Sequence, residues 1–402
     1  MLSPLLFNLY VSRFPLSPQT LTTSYADDFT VSATAETTSG ATATLAARAA
    51  EVEQWASARA LQISAQKSTV TLFSSQTREL NTHPSIPFNN STLPSEKNPK
   101  ILGLTFDPTL TFCAHVDNIV ERAKQGLTIM KALTGSTWGQ QKGPLLTTYK
   151  ATIRSLFTYA APVWFPFVSP SNISKLQRVQ NAAARIATGS VKLSAESHLQ
   201  AETKMLPVRD HLSLLCCQHL ATCLQPNHPS YPTVRADPGP RDMKKTLQQK
   251  FGDKVLRFCE NGAIRDAKEV RQLLHTEFVE SAIATRPPNR VLGLPPPDIA
   301  EEEDSLPREY QTSLSQLRSD HCTSLNSYKH RIGASPTDAC PSCHHSPHDT
   351  QHLFTCPAHP TALGVRDIWE RPAEVADFLA TLPFFRFGVP PRPPPEPPPP
   401  GN

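Results

Sequence analysis

Apolar and polar positions alternate in two short runs near the start of the chain, on either side of a pair of acids. Leu21, Thr23 and Tyr25 can share one face of the first run, and Phe29, Val31 and Ala33 one face of the second. A period of two is that of a strand, and Asp27-Asp28 interrupts it, so residues 21–35 predict a β-hairpin with acids at its tip. Asp is poor inside a strand and tolerated in a tight turn. Residues 1–12 are apolar enough for a core helix beneath that hairpin. They carry no basic n-region and no small-residue cleavage site, which sets them apart from a signal peptide.

The period then becomes helical. Leu45, Ala49, Val52 and Ala56 sit three or four apart in the Ala-rich stretch 41–61, with Trp55 flanking the stripe as a packing residue. Residues 68–74 read as a strand from their β-branched content, 76–99 as a loop with four prolines, and 101–106 as a strand ended by Asp107-Pro108. Three helices are predicted next. The first runs from Val116 to Leu133 and is stopped by Gly135. The second runs from Leu145 to Tyr159, before Pro162. The third is capped by Ser171-Asn172 and striped by Ile173, Leu176, Val179, Ala183 and Ile186. Val208 to Leu224 reads as an apolar helix whose Cys216, Cys217 and His219 point apart, which favours packing over a metal site. Proline-rich linkers are predicted at 225–241 and 286–297, flanking a charged helical stretch from Lys244 to Ala284. Glu301 to Asp304 reads as a solvated helix start, and Val365 to Leu382 as a last helix anchored by Trp369. Residues 390–400 hold nine prolines and read as an extended tail.

Composition sharpens three points. The 402 residues include 40 Pro, about twice the usual share of about 5%, so much of the chain is irregular. The net charge is only +4, yet residues 100–190 hold ten Lys and Arg against three acids. No run of about eighteen apolar residues exists, so nothing is predicted to cross a membrane. Of nine cysteines only Cys340, Cys343 and Cys356 cluster, which suits a reducing, intracellular compartment and one metal site rather than a disulfide framework.

That site is Cys340-x2-Cys343-x8-His352-x3-Cys356. Two thiolates on a tight knuckle, with a His and a Cys one helical turn apart, can close a tetrahedron around Zn²⁺ with no open place for catalysis. His344, His345, His348 and His359 stand as alternatives for the nitrogen ligand. Arg318, Lys329, His330 and Arg331 lie just upstream, where they could set a nucleic-acid strand beside the knuckle.

Tyr25-Ala26-Asp27-Asp28 resembles the Tyr-x-Asp-Asp box of reverse transcriptases. The stretch Met1 to Tyr10 resembles the palm helix before that box in non-LTR (LINE-type, jockey-like) retrotransposon enzymes. Three more blocks follow in the family's order: Trp55 with Leu61-Gln62-Ile63-Ser64 and Lys67-Ser68, then Lys100 to Asp107, then Tyr159 to Trp164. The Cys/His array also looks like the C-terminal segment of such elements. The resemblance implies an α+β chain: a truncated palm with the hairpin at 1–112, a helical thumb at 113–224, a helical segment at 225–300, a CCHC zinc segment at 301–385 and a disordered Pro-rich tail at 386–402. It implies RNA-directed DNA polymerase chemistry, in which two divalent ions about 3.5–4 Å apart hold the attacking and leaving oxygens. Hard Mg²⁺ takes few ligands from protein, all of them oxygens. Asp27 and Asp28 would be those ligands and Tyr25 would back the primer end. Lys100 would meet a phosphate at the palm–thumb junction, and Lys175, Arg178 and Arg185 would give the thumb a basic, sequence-blind face. The implied partners are an RNA template, a DNA primer or target, and the element RNA in a ribonucleoprotein. In the family a third Asp and the fingers lie upstream of the palm helix. This chain is expected to begin after both and to be inactive alone. Two other readings stay open: a non-catalytic nucleic-acid-binding module of thumb plus knuckle, and a decayed element remnant.

Overall fold

The computed structural model describes residues 2–79, 81–236 and 246–388, which fall into two units, Met1–His115 and Val116–Asn402. The expected tail at 390–400 and the end of the first linker, past Ala236, lie outside the described residues. The segments expected at 225–300 and 301–385 both belong to the second unit, together with nearly all of the segment expected at 113–224.

In the first unit, α1 (Ser3–Val11) has Pro4 in its first turn, where a missing N–H costs nothing. Contrary to expectation it buries none of its residues, and Leu5, Leu6 and Leu9 stay more than half exposed. The hairpin is covered instead by Phe14, just past the helix. β1 (Thr20–Tyr25) and β2 (Asp28–Ala33) pair antiparallel from Thr20↔Ala33 to Tyr25↔Asp28. Phe29 stacks on Phe14 with ring centroids 4.5 Å apart and meets the edge of Trp55 at 6.4 Å. Trp55 belongs to α2 (Thr38–Ser57), which is capped by the Thr37 hydroxyl and buries the predicted Ala49, Val52 and Ala56.

Two predicted strands do not form. Val70 makes one isolated parallel bridge, to Ser95, so 68–74 runs extended without a ladder. Leu102 and Gly103, at φ +46° and +83°, fold 101–106 back on itself as β5 (Lys100–Ile101) and β6 (Leu104–Thr105). A turn with two positive φ values outweighs the apolar run. The loop expected at 76–99 holds a small hairpin by the same device: Asn89 and Asn90, at φ +48° and +57°, join β3 (Pro87–Phe88) to β4 (Ser91–Thr92). Just beyond, the buried Asp107 carboxylate accepts hydrogen bonds from the Thr109, Thr111 and Phe112 N–H groups. Burial alone would raise its pKa, and those bonds with the Thr109 and Thr111 hydroxyls reverse the sign and lower it.

α3 (Cys113–Leu133) leads into the second unit. The second predicted helix is longer than expected and holds a π turn: α4 (Lys142–Tyr149), Lys150–Arg154, then α5 (Ser155–Thr158). Ala160 at φ +47° ends it. α6 (Ala161–Trp164) follows, with Trp164 fully buried and its Nε1 donating to the Tyr159 carbonyl at 3.0 Å. α7 (Pro170–Thr188) is capped by Ser169 and not by Ser171-Asn172, because Pro170 fixes the first turn one residue earlier. It buries Ile173, Leu176, Val179 and Ala183, as the stripe predicts. α8 (Glu196–Thr203) and α9 (Val208–Cys223) follow. Cys216 and Cys217 are buried on α9, and burial raises both thiols, Cys217 to about 11. The first linker includes α10 (Tyr231–Arg235), and α11 (Leu247–Val255) and α12 (Ala267–Ala284) pack on α9.

The second linker is a strap and not a spacer. Asn289 Nδ2 donates to the Arg318 carbonyl at 3.0 Å, its Oδ1 accepts from Val291 and Leu292, and Val291 enters the core. α13 (Arg308–Arg318), α14 (Asn326–Arg331) and α15 (Thr350–Thr355) come next. The expected last helix is two, α16 (Asp367–Glu370) and α17 (Pro372–Thr381), broken where Pro372 denies the ladder an N–H. Trp369 is buried as expected.

A buried ring of four charges joins the early and late parts of this unit. Arg318 is fully buried and reaches Glu202 at 3.1 Å and also Glu303; Lys142 reaches Glu303 at 2.8 Å. Two cations and two carboxylates sum to zero, which is how such groups survive out of water. Burial would raise the Glu202 pKa, and Arg318 and Lys142 more than offset that and lower it. Arg318 Nη2 also donates to the Ile368 carbonyl at 2.8 Å. This corrects two expectations: Glu303 is not solvated, and Arg318 cannot contact a nucleic acid.

Candidate functional site

The acid pair sits where its sequence places it. Tyr25 is the last residue of β1 and Asp28 the first of β2, so Ala26-Asp27 is a two-residue turn, with Ala26 at φ +50°. Tight hairpins require positive φ in such loops. Tyr25, Asp27 and Asp28 are exposed. Tyr25 and Asp28 are a directly paired set, so they share a face, and Phe29 on the other face anchors the turn through Phe14 and Trp55. Among the described residues, no third Cys, His, Asp or Glu gathers with this pair.

The candidate basic contacts are differently situated. Lys100 is exposed on β5. Arg178 is exposed on α7. Lys175 Nζ holds Asp117 at 2.6 Å, so its charge is matched within the protein. Arg185 is half-buried and donates to the Ser194 carbonyl at 3.2 Å; burial lowers its pKa, opposed by Glu196. A continuous basic face on α7 therefore reduces to Arg178.

The four predicted metal ligands do converge. Ligand atoms of Cys340, Cys343, His352 and Cys356 all lie within 4.8 Å of one another. Cys340 and Cys356 Sγ are 3.9 Å apart, and Cys343 Sγ is 3.2 Å from His352 Nε2. Zn–S bonds of about 2.3 Å put tetrahedral sulfurs about 3.8 Å apart, so the donor set and its spacing fit zinc. The knuckle is clasped by its backbone: His344 N–H donates to the Cys340 carbonyl at 3.0 Å, and Cys340 N–H to that of His345 at 2.8 Å. For the Cys343 thiol, burial raises the pKa, and the His345 N–H and the other two thiols bring it below its usual value.

His352 is the histidine inside the cluster. His348 is buried with Nδ1 accepting from Asn326 N–H at 3.2 Å, and His359 Nε2 faces Ser342 Oγ at 2.9 Å. A residue the sequence reading passed over sets the ligand helix: Asp349 caps α15 and accepts from the His352 N–H at 2.9 Å. An Asp three residues before the His was the available signal. Thr350 Oγ1 donates to the Leu317 carbonyl at 3.1 Å, tying the ligand helix to α13 beside the buried ring.

Residues 1–106 match the reverse transcriptase (RNA-dependent DNA polymerase) family. The chain is 26% identical over 217 residues to the probable RNA-directed DNA polymerase from transposon X-element of Drosophila melanogaster, covering 53% of this chain and 24% of that protein. It is 23% identical over 227 residues to the RNA-directed DNA polymerase from mobile element jockey of the same fly, covering 54% and 24%. It thus spans about a quarter of the length of these curated relatives. No solved structure matches. The first 106 residues, the acid turn among them, match the reverse transcriptase family, and over about half its length the chain is similar to RNA-directed DNA polymerases of two fly mobile elements.

Proposed function

We propose that this chain carries the carboxylate turn and the nucleic-acid-holding parts of a non-LTR RNA-directed DNA polymerase, with an RNA template and a DNA primer or target as its partners. The observation that carries the reading is a Tyr-x-Asp-Asp sequence at the two-residue turn of a hairpin, inside the segment that matches the family. Two Mg²⁺ ions, when bound, would draw together the attacking and leaving oxygens of nucleotidyl transfer. Asp27 and Asp28 supply oxygen ligands from a turn pinned by Phe29, and Tyr25 lies on Asp28's face to back the primer end. Lys100 and Arg178 are the exposed cations of the predicted set. The helices from α3 to α9 act as the thumb, and Cys340, Cys343, His352 and Cys356 hold a closed, structural Zn²⁺. A ribonucleoprotein with the element RNA belongs to the same reading.

Among the described residues no third acid gathers with the pair, whereas the family's site uses three. The expected result is that the 402-residue chain extends a primed RNA template no better than its Asp27→Asn variant. That deficit also favours a second reading, binding without catalysis. Fe²⁺ taken up at Mg²⁺ ligands cleaves nearby backbone when peroxide is added. Cleavage should map to residues 25–29 and vanish in the Asp27→Asn, Asp28→Asn double variant. A pattern unchanged in the double variant would overturn the metal-binding role.

A further inference from the structure

The charges of α12 are segregated. Lys268, Arg271 and His275 recur at i, i+3 and i+7 and share one face. At about 100° per residue, Glu269, Glu277 and Glu280 fall on the other side. Glu277 is held there by Arg257. The basic face opens on a groove of about 750 Å³ lined by Gln218 of α9 and by Lys268, Arg271, Gln272, His275 and Thr276. Every α12 residue of that lining is exposed, and no carboxylate is among the lining residues. Gln218 Nε2 donates to the Arg271 carbonyl at 3.1 Å, and Arg271 Nε to that of Ala267 at 3.2 Å, which fixes the guanidinium at the groove wall. His211 has its pKa lowered to about 4, by burial first and then by Arg154 and His275.

We propose that this groove is a nucleic-acid contact, separate from the acid turn and from the Cys/His cluster. Lys268, Arg271 and His275 span about 10 Å along the helix, from a rise of about 1.5 Å per residue. Phosphates recur along any polynucleotide strand, so an open row of this length can meet about two or three of them. Gln218, Gln272 and Thr276 offer donors for sugar and phosphate oxygens between the charges. Two cations and an imidazole in an open row suit a linear polyanion better than a small anion, which binds where donors enclose it. No Phe, Tyr or Trp is among the lining residues, so stacking is confined to the His275 ring and the Arg271 plane, and the contact is chiefly to the backbone, without sequence.

The test is fluorescence anisotropy of the full chain with short single-stranded RNAs of unrelated sequence, across a salt series. Lys268→Gln with Arg271→Gln should lower the slope of log K against log salt by about 1.4, at about 0.7 per lost phosphate contact, equally for each RNA. The charge-keeping pair Lys268→Arg with Arg271→Lys should restore the slope, and Glu269→Gln with Glu280→Gln should leave it unchanged. A neutral pair with wild-type slope and affinity overturns the proposal while leaving the acid turn and zinc cluster untouched, since neither uses α12. Equal competition by polyglutamate of matched charge, or a wild type that binds no RNA at low salt, overturns it as well.

Discussion

Single residues decide more here than their chemistry alone announces. Asp27 and Asp28 are exposed and cost the fold little, whereas Glu202 and Arg318 are buried and hold it together. His198 belongs with the second group: it is buried between Ser190 and Ser315 hydroxyls, 3.3 and 3.4 Å from its Nε2. Burial brings its pKa down to about 4, with Glu202 opposing and Arg318 assisting. In the unfolded chain the same imidazole takes its proton near 6.5. Between those values the unfolded state binds more protons, so stability rises with pH there and falls on acidification. His198 alone contributes on the order of 3 kcal/mol over that window, at 1.36 kcal/mol per pH unit. Denaturant unfolding at pH 7 and pH 4.5 should show the second unit weakened at the lower pH, with a smaller pH effect in a His198→Asn variant. Equal losses in both proteins would refute the assignment to His198.

Elements formed where local signals agreed with each other. The hairpin at 20–33 was legible because a period of two broke at two acids, and the Cys/His cluster because its four members fall within seventeen residues. The strand expected at 101–106 failed because an apolar run says nothing of direction, and Leu102-Gly103 supplies a reversal instead. Packing also hid one helix stop. Gly189 ends α7 at φ +70°, and a Cβ there would meet the Thr312 side chain at 2.5 Å. Gly189→Ala should therefore destabilise by more than ~1 kcal/mol, through both a left-handed backbone and a clash. Ser169→Ala, at the other end of the same helix, should cost about 1 kcal/mol through a lost cap alone. Chemical unfolding of the two variants gives the ranking, and a Gly189→Ala loss no larger than that of Ser169→Ala would contradict it.

At the scale of the whole molecule, sequence reading divided what the fold unites. A boundary near residue 300 looked sound because prolines flank it, yet Lys142 and Glu303 are 161 positions apart and Glu202 and Arg318 116 apart. No local pattern announces a contact at that range. Thr350 fastens the ligand helix to α13, whose last residue is Arg318. Loosening the Cys/His cluster should thus be felt beyond it. Hydrogen–deuterium exchange after zinc chelation, or in Cys343→Ser, is expected to rise in 196–203 and 308–318 together with 340–356. A rise restricted to 340–356 would mean that the cluster melts as a separate foldon.

The ring of Lys142, Glu202, Glu303 and Arg318 also constrains how this lineage can drift. Removing one member strands an opposite charge in the interior, at about 3–5 kcal/mol, whereas exchanging the set for apolar residues is often neutral. Descendants that replace the arginine should therefore have lost an acid as well, so the four positions ought to covary across homologues, as a bloc and not one at a time.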